Sequence, residues 1–494
     1  MAATNFSAFT VFTASGIGFS HGMAFFPIMA FGTGFMAITF WLIGSKIWVL
    51  GKKFDLVTPS DLIHHIYRNR FLSILFAMVM IVFTVPYLAI QPMAGGLVFE
   101  ELFGIPKVWG AVIITGVILI YTLRGGLKAI AWTDVFQGLL MLVLMTAALI
   151  IVANHFGGLS AAFERVRSMS PELFSRPGAK GAYTPGIWFS WMLLWFFCDP
   201  MFPQLFQRFY AGRNPGSLAR TMLAYPAICT VVFFLPISIG ILGHLYVSSG
   251  NAVDNPEKIL PILMTSIGGP FMGTLILAGG LAALMSTMDS QLLTVSSIFT
   301  RDIYPLFSHK REAPAISGRI FIVVIALCGL ALAVLSQSTM LEIVKHAFTG
   351  LAVLMPSVLF GLYWKNPRVE SAISSILAGQ ALVVAYAIFP ESTPAFGFLP
   401  AVPIILVSVG VFLGVQIIIE KLPDLSIKPV SLTYGIIFTV IFILAMDFWN
   451  WGKSGPFVFG LPYWTWYFIG LSLIQTVAMV FWLHKNKLMK AVEE

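Results

Sequence analysis

Three carboxylates stand inside apolar runs of the chain: Asp134, Asp199 and Asp289. An ionisable side chain is expensive to keep in hydrocarbon, so each is a candidate for binding or coupling chemistry. Asp289 belongs to the densest polar cluster within any apolar run, Ala282-Ala283-Leu284-Met285-Ser286-Thr287-Met288-Asp289-Ser290-Gln291. Ser286 and Thr287 offer adjacent hydroxyl oxygens, and the Ala283 carbonyl lies one helical turn earlier. Asp289 and Ser290 follow at i+3 and i+4 from Ser286 and add oxygens on a neighbouring face. Hydroxyls, carbonyls and carboxylates are the oxygens a small hard cation such as Na+ requires. The competing reading is that the hydroxyls bond back to carbonyls four residues earlier, as they often do in membrane helices. Asp134 sits about two turns into its helix, in Ala131-Trp132-Thr133-Asp134-Val135-Phe136-Gln137. Asp199 lies in Cys198-Asp199-Pro200-Met201-Phe202-Pro203-Gln204, where two prolines cannot both fit a regular helix. That spacing predicts a helix broken near mid-membrane, whose freed backbone groups can bind ions and substrates where they line a cavity. A simple proline kink with Asp199 near an aqueous surface is the alternative.

The elements that must position these residues are membrane spans. Only 10% of the 494 residues are charged, 58% are apolar and mean hydropathy is +0.90, which excludes a water-soluble globule. The same composition excludes disordered, disulfide-stapled and nucleic-acid-binding classes, and Cys198, Cys229 and Cys328, in or beside apolar runs, do not look like a disulfide framework. Apolar stretches of about 20 residues predict spans near 22–50, 71–99, 107–123, 128–154, 184–207, 219–247, 269–299, 319–337, 341–364, 371–389, 400–419, 432–448 and 462–483, after an opening apolar stretch from Met1 to Ser20. When sides alternate at each span, most of the 29 Lys and Arg residues fall on one side, among them Lys52, Lys53, Arg68, Arg70, Arg124, Lys128, Arg208, Arg301, Lys310, Arg311, Lys421, Lys428, Lys485, Lys487 and Lys490. That side is read as cytoplasmic, with the C-terminus inside. Only Lys345 falls within a span on this reading. The orientation requires a first helix running outward before Gly16–Gly22, yet the stretch from Met1 holds half of one. The expectation is that the natural protein starts upstream; a short first helix is the alternative.

No zinc-spaced His/Cys cluster, phosphate-binding Gly loop or nucleophile elbow accompanies the spans, so neither an ATP-driven pump nor a membrane hydrolase is visible. Gly279-Gly280 in the span that carries Ser286 allows close helix approach.

The stretch Tyr121-Thr122-Leu123-Arg124-Gly125-Gly126-Leu127-Lys128-Ala129, followed by Trp132-Thr133-Asp134 and Gln137, resembles the signature of the sodium:solute symporter family. Ala283, Ser286 and Thr287 are similar to its Ala-x-x-Ser-(Ser/Thr) sodium motif, and Ala3-Thr4-Asn5-Phe6-Ser7-Ala8 to its first core helix. The resemblance implies an all-α polytopic membrane protein with a LeuT-like core of two inverted five-helix repeats, whose first and sixth helices are discontinuous, plus about four C-terminal helices. It places the first repeat at 1–154, an extracellular loop at 155–183, the second repeat at 184–364 and peripheral helices with a short cytoplasmic tail at 365–494. It implies that an N-terminal helix and half of the first core helix are missing. It implies Na+ held by the carbonyls of Ala3 and Phe6 with Ala283, Ser286 and Thr287. A further cation would fall at Asp134, Ser286, Asp289 and Ser290, although the family usually has a hydroxyl where this chain has Asp289.

For the solute, helix position suggests Thr10, Met29, Gln91, Trp195, Asp199 and Gln204. Met29, with Phe25, Phe26 and Pro27 before it, stands where sugar-transporting members place a carboxylate, so an organic acid, amino acid or vitamin-like solute suits the pocket better. The expected function is Na+-coupled symport of such a solute by alternating access, in a multi-pass cell membrane protein with no catalytic residues, organic cofactor or nucleic-acid partner. Proton coupling at Asp134 or Asp289, or a transporter-like sensor acting through a separate partner, are the alternatives.

Overall fold

The computed structural model describes residues 1–308, 313–389, 396–420 and 429–485, with the side chains of 127–129 and 429–431 outside that set. The readings made on Lys310, Arg311, Lys421, Lys428, Lys487, Lys490, the Lys128 side chain and the C-terminal tail therefore lie outside the described residues.

In hydrocarbon each backbone N–H and C=O needs a partner from the chain itself, and a helix supplies one for both. The chain opens on α1 (Ala2–Asn5), passes through a π-helical turn (Phe9–Thr13) into α2 (Ala14–His21) and returns as α3 (Phe25–Met36), prolonged by shorter helices to Phe54. Then come α4 (Arg70–Phe103), α5 (Lys107–Thr122) and α6 (Leu127–His155). Next are α7 (Pro185–Cys198), a 3-10 turn (Asp199–Met201), α8 (Pro203–Ala211), α9 (Pro215–Ser248), α10 (Pro270–Ile298), α11 (Ala315–Leu335) and α12 (Met340–Ala352). The last four long helices are α13 (Val369–Ile388), α14 (Ala401–Ile419), α15 (Pro429–Ala445) and α16 (Tyr463–Lys485). Among the described residues eleven helical stretches are long and apolar enough to cross a membrane; one of them, Phe9–Phe54, doubles back at Gly22. The expected spans coincide with these helices, with α5 and with the α7–α8 pair.

Burial separates core from periphery. The Phe9–Phe54 stretch is 94% buried over its most apolar window, whereas the corresponding window of α11 is only 28% buried. Gly22 makes the reversal between α2 and α3 with φ +81°, and a Cβ there would lie 2.0 Å from the Leu173 carbonyl oxygen. The Gly279-Gly280 pair does what its spacing suggests: Leu144 of α6 packs on one glycine and the Phe12 ring on the other.

Arg176, in the stretch expected as an extracellular loop at 155–183, is fully buried against Asp447 at 3.1 Å, with its guanidinium 3.6 Å from the Trp188 ring centre. Asp447 thus joins the carboxylates withdrawn from water, because the ion pair and the surrounding indoles replace its solvation. It ties the segment before α7 to the end of α15.

Candidate functional site

The first helix breaks between α1 and the π-helical turn, where Phe6 adopts an extended conformation (φ −87°, ψ 104°). In a continuous helix the carbonyls of Ala3, Thr4, Asn5 and Phe6 would receive the N–H groups of Ser7, Ala8, Phe9 and Thr10. All four donors are diverted. Ser7 N–H goes to Thr10 Oγ1 (3.3 Å), Ala8 N–H to Gln91 Oε1 (3.0 Å), Phe9 N–H to Ser7 Oγ (3.2 Å) and Thr10 N–H to the Ser7 carbonyl (3.0 Å). Buried donors are thereby satisfied while main-chain acceptors are left over.

Three of those acceptors face α10. Thr287 Oγ1 lies 3.2 Å from Thr4 O, 3.3 Å from Phe6 O and 3.4 Å from Ala283 O. A hydroxyl carries one proton, so these approaches bring together more oxygens than it can bridge. Ser286 Oγ repeats the pattern: it donates to Asp134 Oδ1 at 2.5 Å and also stands 3.3 Å from Ala3 O. A hard cation resolves such crowding. Oxygens about 2.3–2.6 Å from Ca2+, an ion close to Na+ in size, stand about 3.3–3.7 Å apart in an octahedral set. The residues expected to hold Na+, Ala3, Phe6, Ala283, Ser286 and Thr287, are brought together here, and the Thr4 carbonyl joins them.

The second expected cation set is also assembled, but around an arginine. Arg208 Nη2 of α8 reaches Asp134 Oδ2, and the same nitrogen donates to Ser290 Oγ at 2.9 Å. Nη1 holds the Gln204 carbonyl at 2.9 Å. Thr4 Oγ1 adds a bond to Asp134 at 3.0 Å. Asp289 accepts from Tyr121 at 3.1 Å and from Ser290 at 3.2 Å. Arg208 was read as a cytoplasmic-side cation and Lys345 as the only cation within a span; instead the Arg208 side chain is only 11% exposed and its charge lies between Asp134 and Ser290. The usable signal was its i+4 spacing from Gln204 among Phe206, Phe209 and Tyr210 on a helix opened by Pro203.

The second broken helix behaves differently. Asp199 O takes the Phe202 N–H at 3.1 Å, and Phe202 O takes those of Leu205 and Phe206 at 2.9 Å, so these two carbonyls are used within the break itself. What this break offers is the Asp199 side chain, which receives Asn5 Nδ2 at 3.2 Å; the same amide donates to Tyr225 Oη at 2.6 Å. Asn5 and Tyr225 carried no signal in the sequence. Around it stand rings: Trp195 against Phe9 (6.0 Å between centroids) and Phe348 (5.4 Å), and Phe202 against Phe348 (4.8 Å) and Tyr87 (5.1 Å).

The residues suggested for the solute divide accordingly. Trp195 and Asp199 lie at the aromatic side, and the buried Trp195 indole N–H has no hydrogen-bond partner among the described residues. Thr10 and Gln91 spend their side-chain oxygens on the main chain of the first break. Gln204 lies beyond the second break with both amide atoms buried and unpartnered among the described residues, and its carbonyl belongs to the Arg208 cluster. Met29 is buried in α3 one turn after Phe25, which itself stands 6.3 Å from Phe9.

A sequence profile of the sodium:solute symporter family matches residues 1–379. The sodium/proline symporter 2 of Staphylococcus saprophyticus is 28% identical over 359 residues, covering 69% of this chain and 68% of that protein. A sodium/proline symporter of Staphylococcus aureus is 29% identical over 372 residues, 72% of this chain and 70% of the relative. Among solved structures, a substrate-bound, outward-open Na+-coupled sialic acid symporter superposes with a TM-score of 0.69 at 17% identity, covering 85% of this chain and 88% of that one. A nucleobase-cation-symport-1 family transporter in a closed conformation gives 0.54 at 13% identity, with 88% and 94% covered. At these identities the likeness is one of fold, that of the LeuT-like transporters.

Proposed function

The chain belongs to the sodium:solute symporter family, and from that premise we propose how its two broken helices divide the work of sodium-coupled solute import. Na+ binds at the first break, held by the carbonyls of Ala3, Phe6 and Ala283 and the hydroxyls of Ser286 and Thr287, with the Thr4 carbonyl at the edge. The observation that carries this reading is the single Thr287 hydroxyl within 3.2–3.4 Å of three carbonyl oxygens. Binding there draws α1 and α10 together and so fixes Asn5, which holds Asp199 and Tyr225 on the solute side. Solute bound among Trp195, Asp199 and the neighbouring rings, with Met29 behind them, then stabilises the same arrangement. That is the reciprocal coupling symport requires. Residues 1–154 and 184–364 serve as the two inverted repeats, each opening on its broken helix.

The protein lies in the cell membrane as a multi-pass importer, the cation-rich side and C-terminus facing the cytoplasm. It works on lipid-embedded helices with no nucleic-acid partner and no organic cofactor. Its cargo is a small amino acid, organic acid or vitamin-like solute; the sodium/proline relatives favour the first. Asp134, Ser286, Asp289 and Ser290 form a second cation position already filled by the Arg208 guanidinium, which pairs with Asp134 and bonds Ser290.

The test is uptake into proteoliposomes driven by an imposed Na+ gradient at clamped internal and external pH, over a solute panel that begins with proline. Changing Ser286 and Thr287 together to Ala should abolish Na+-stimulated uptake. Undiminished Na+ dependence in that double variant would overturn the assignment.

A further inference from the structure

A second polar feature lies apart from the sodium position. A cavity of about 370 Å³ opens between the start of α12, the end of α13 and the start of α14, lined among others by Leu194, Glu342, Lys345, His346, Thr349 and Tyr386. In the orientation proposed above, α11 leads outward and α12 inward, so this is the outer end of the bundle. The helices that line it lead to the solute side: next in sequence to the lining residues Leu194 and Thr349 stand Trp195 and Phe348, whose rings pack at 5.4 Å.

The opposite charges in the cavity, Glu342 and Lys345, are not in direct contact among the described residues. Glu342 is committed to the helix start, where Oε2 accepts the Thr339 N–H at 3.1 Å and its own N–H is capped by Thr339. The Thr349 hydroxyl is spent on the Lys345 carbonyl at 2.7 Å. Among the described residues no hydrogen bond or ion pair reaches the Lys345 ammonium. The nearest opposite charge, Glu342 one turn earlier, acts on it through space without a direct contact, so a cation on a membrane helix, partly withdrawn from water and facing a cavity of ligand size, keeps its donors free for an anion. His346, beside it and 6.0 Å from the Tyr386 ring, adds a polar face on an aromatic wall.

From this geometry we infer that Lys345 forms the head of an outer capture site for the carboxylate of the solute, ahead of the Trp195–Phe348 ring pair. This deepens the import reading and rests on it: it restricts the cargo to carboxylate-bearing molecules. It assigns Lys345 a role in specificity, distinct from the sodium position. The solute arrives, pairs its carboxylate with the ammonium, and passes the two rings when they part.

The experiment uses the full chain in lipid nanodiscs and intrinsic tryptophan fluorescence, with two probe pairs that differ in charge but hardly in shape: proline against prolinamide, and benzoate against benzamide. A charge-assisted contact of this kind predicts that the carboxylate of a pair binds on the order of tenfold tighter than its amide. Lys345→Met should bring the two within about twofold, and Lys345→Arg should keep the preference. Equal binding of both pair members by the unaltered protein, or an unchanged preference in Lys345→Met, would overturn the proposal. Should Lys345→Met not fold, acylation of Lys345 in the unaltered protein, read by mass spectrometry, decides instead: carboxylates slow it and amides do not, and equal rates reject the site. Na+ enhancement of binding should persist in Lys345→Met and vanish in Thr287→Ala. Loss of the import reading therefore shows in a different variant from loss of this one.

Discussion

The two broken helices use the same backbone interruption to opposite ends. At the first, four N–H groups leave the helical ladder for Thr10, Gln91 and Ser7, and the carbonyls of Ala3, Thr4 and Phe6 turn to the hydroxyls of α10. At the second, Pro200 and Pro203 bring no N–H, the carbonyls of Asp199 and Phe202 take local N–H groups about a 3-10 turn, and the side chain of Asp199 is what projects. Unspent carbonyl oxygens suit a bare cation; a carboxylate with an amide, a phenol and aromatic rings around it suits a polar organic molecule. The difference arises from which group each break leaves unspent, since both interrupt the ladder.

The largest expected effect probes the charge pair beside the first break. Arg208→Met leaves Asp134 buried without its partner, which should cost about 3–5 kcal/mol of stability, measured as a lowered melting temperature in detergent. Adding Asp134→Asn should recover much of that loss. If the cluster accepts a second Na+ once the guanidinium is gone, raising Na+ should stabilise Arg208→Met more than the unaltered chain. Equal salt responses would mean that the arginine does not stand in for a cation.

A crossed pair of substitutions tests the division of labour directly. Thr287→Val removes one oxygen from the first break and should raise the Na+ concentration for half-maximal uptake by about 100-fold. Its solute KM at saturating Na+ should stay nearly unchanged. Asp199→Asn should do the reverse, shifting solute KM by about tenfold while Na+ activation stays put. Variants that move both parameters together would erase the distinction between the breaks.

Gln91→Leu should give a smaller effect of the same kind. Its Oε1 accepts the Ala8 N–H at 3.0 Å, so losing it lets that donor compete for the Thr4 carbonyl. A supporting contact of this sort is worth about tenfold in cation affinity, read as a rightward shift of the Na+ activation curve with maximal uptake retained. An effect on solute KM alone would return Gln91 to the solute pocket, where its helix position first suggested it.

The two breaks also differ in how far the sequence announces them. The spans, the second break and the Ser286–Thr287 oxygens were legible because hydropathy, Pro200 with Pro203, and hydroxyl spacing are local properties of the chain. The first break was legible only through family resemblance, since Ala3 and Phe6 contribute carbonyls and a carbonyl has no residue type. Arg208 and Asn5 were missed for a further reason. Their partners, Asp134 and Asp199, are 74 and 194 residues away in sequence, and although the spacing of Arg208 from Gln204 marks its face of α8, the one-dimensional pattern does not say which carboxylate that face meets. Arg176 repeats the point at the other end of the bundle, where a cation in a loop is buried by Asp447, 271 residues on.

The smallest effect concerns a carboxylate outside the spans. Burial raises Glu257 from its ordinary value to about 7, partly offset by the N–H of Met340, which donates to its Oε1 at 3.2 Å. Met340 starts α12, the helix that carries Phe348 onto the rings of the second break. Because the folded protein holds this proton more tightly than the unfolded chain, the group's stabilising contribution is complete below about pH 4.5. It declines as pH rises toward 7 and levels off above. Between pH 6 and 8 the melting temperature should therefore fall by about 1–2 °C through this group. Glu257→Gln keeps the acceptor for Met340 and removes the titration, so its profile should be flatter over the same range. Since Glu257 holds the start of α12, whose Phe348 packs on the rings at the second break, the accompanying change in uptake belongs to solute KM, with Na+ activation the same at both pH values. A pH-dependent Na+ curve that Glu257→Gln abolishes would show that α12 acts on the first break as well, and the two breaks would then move as one unit.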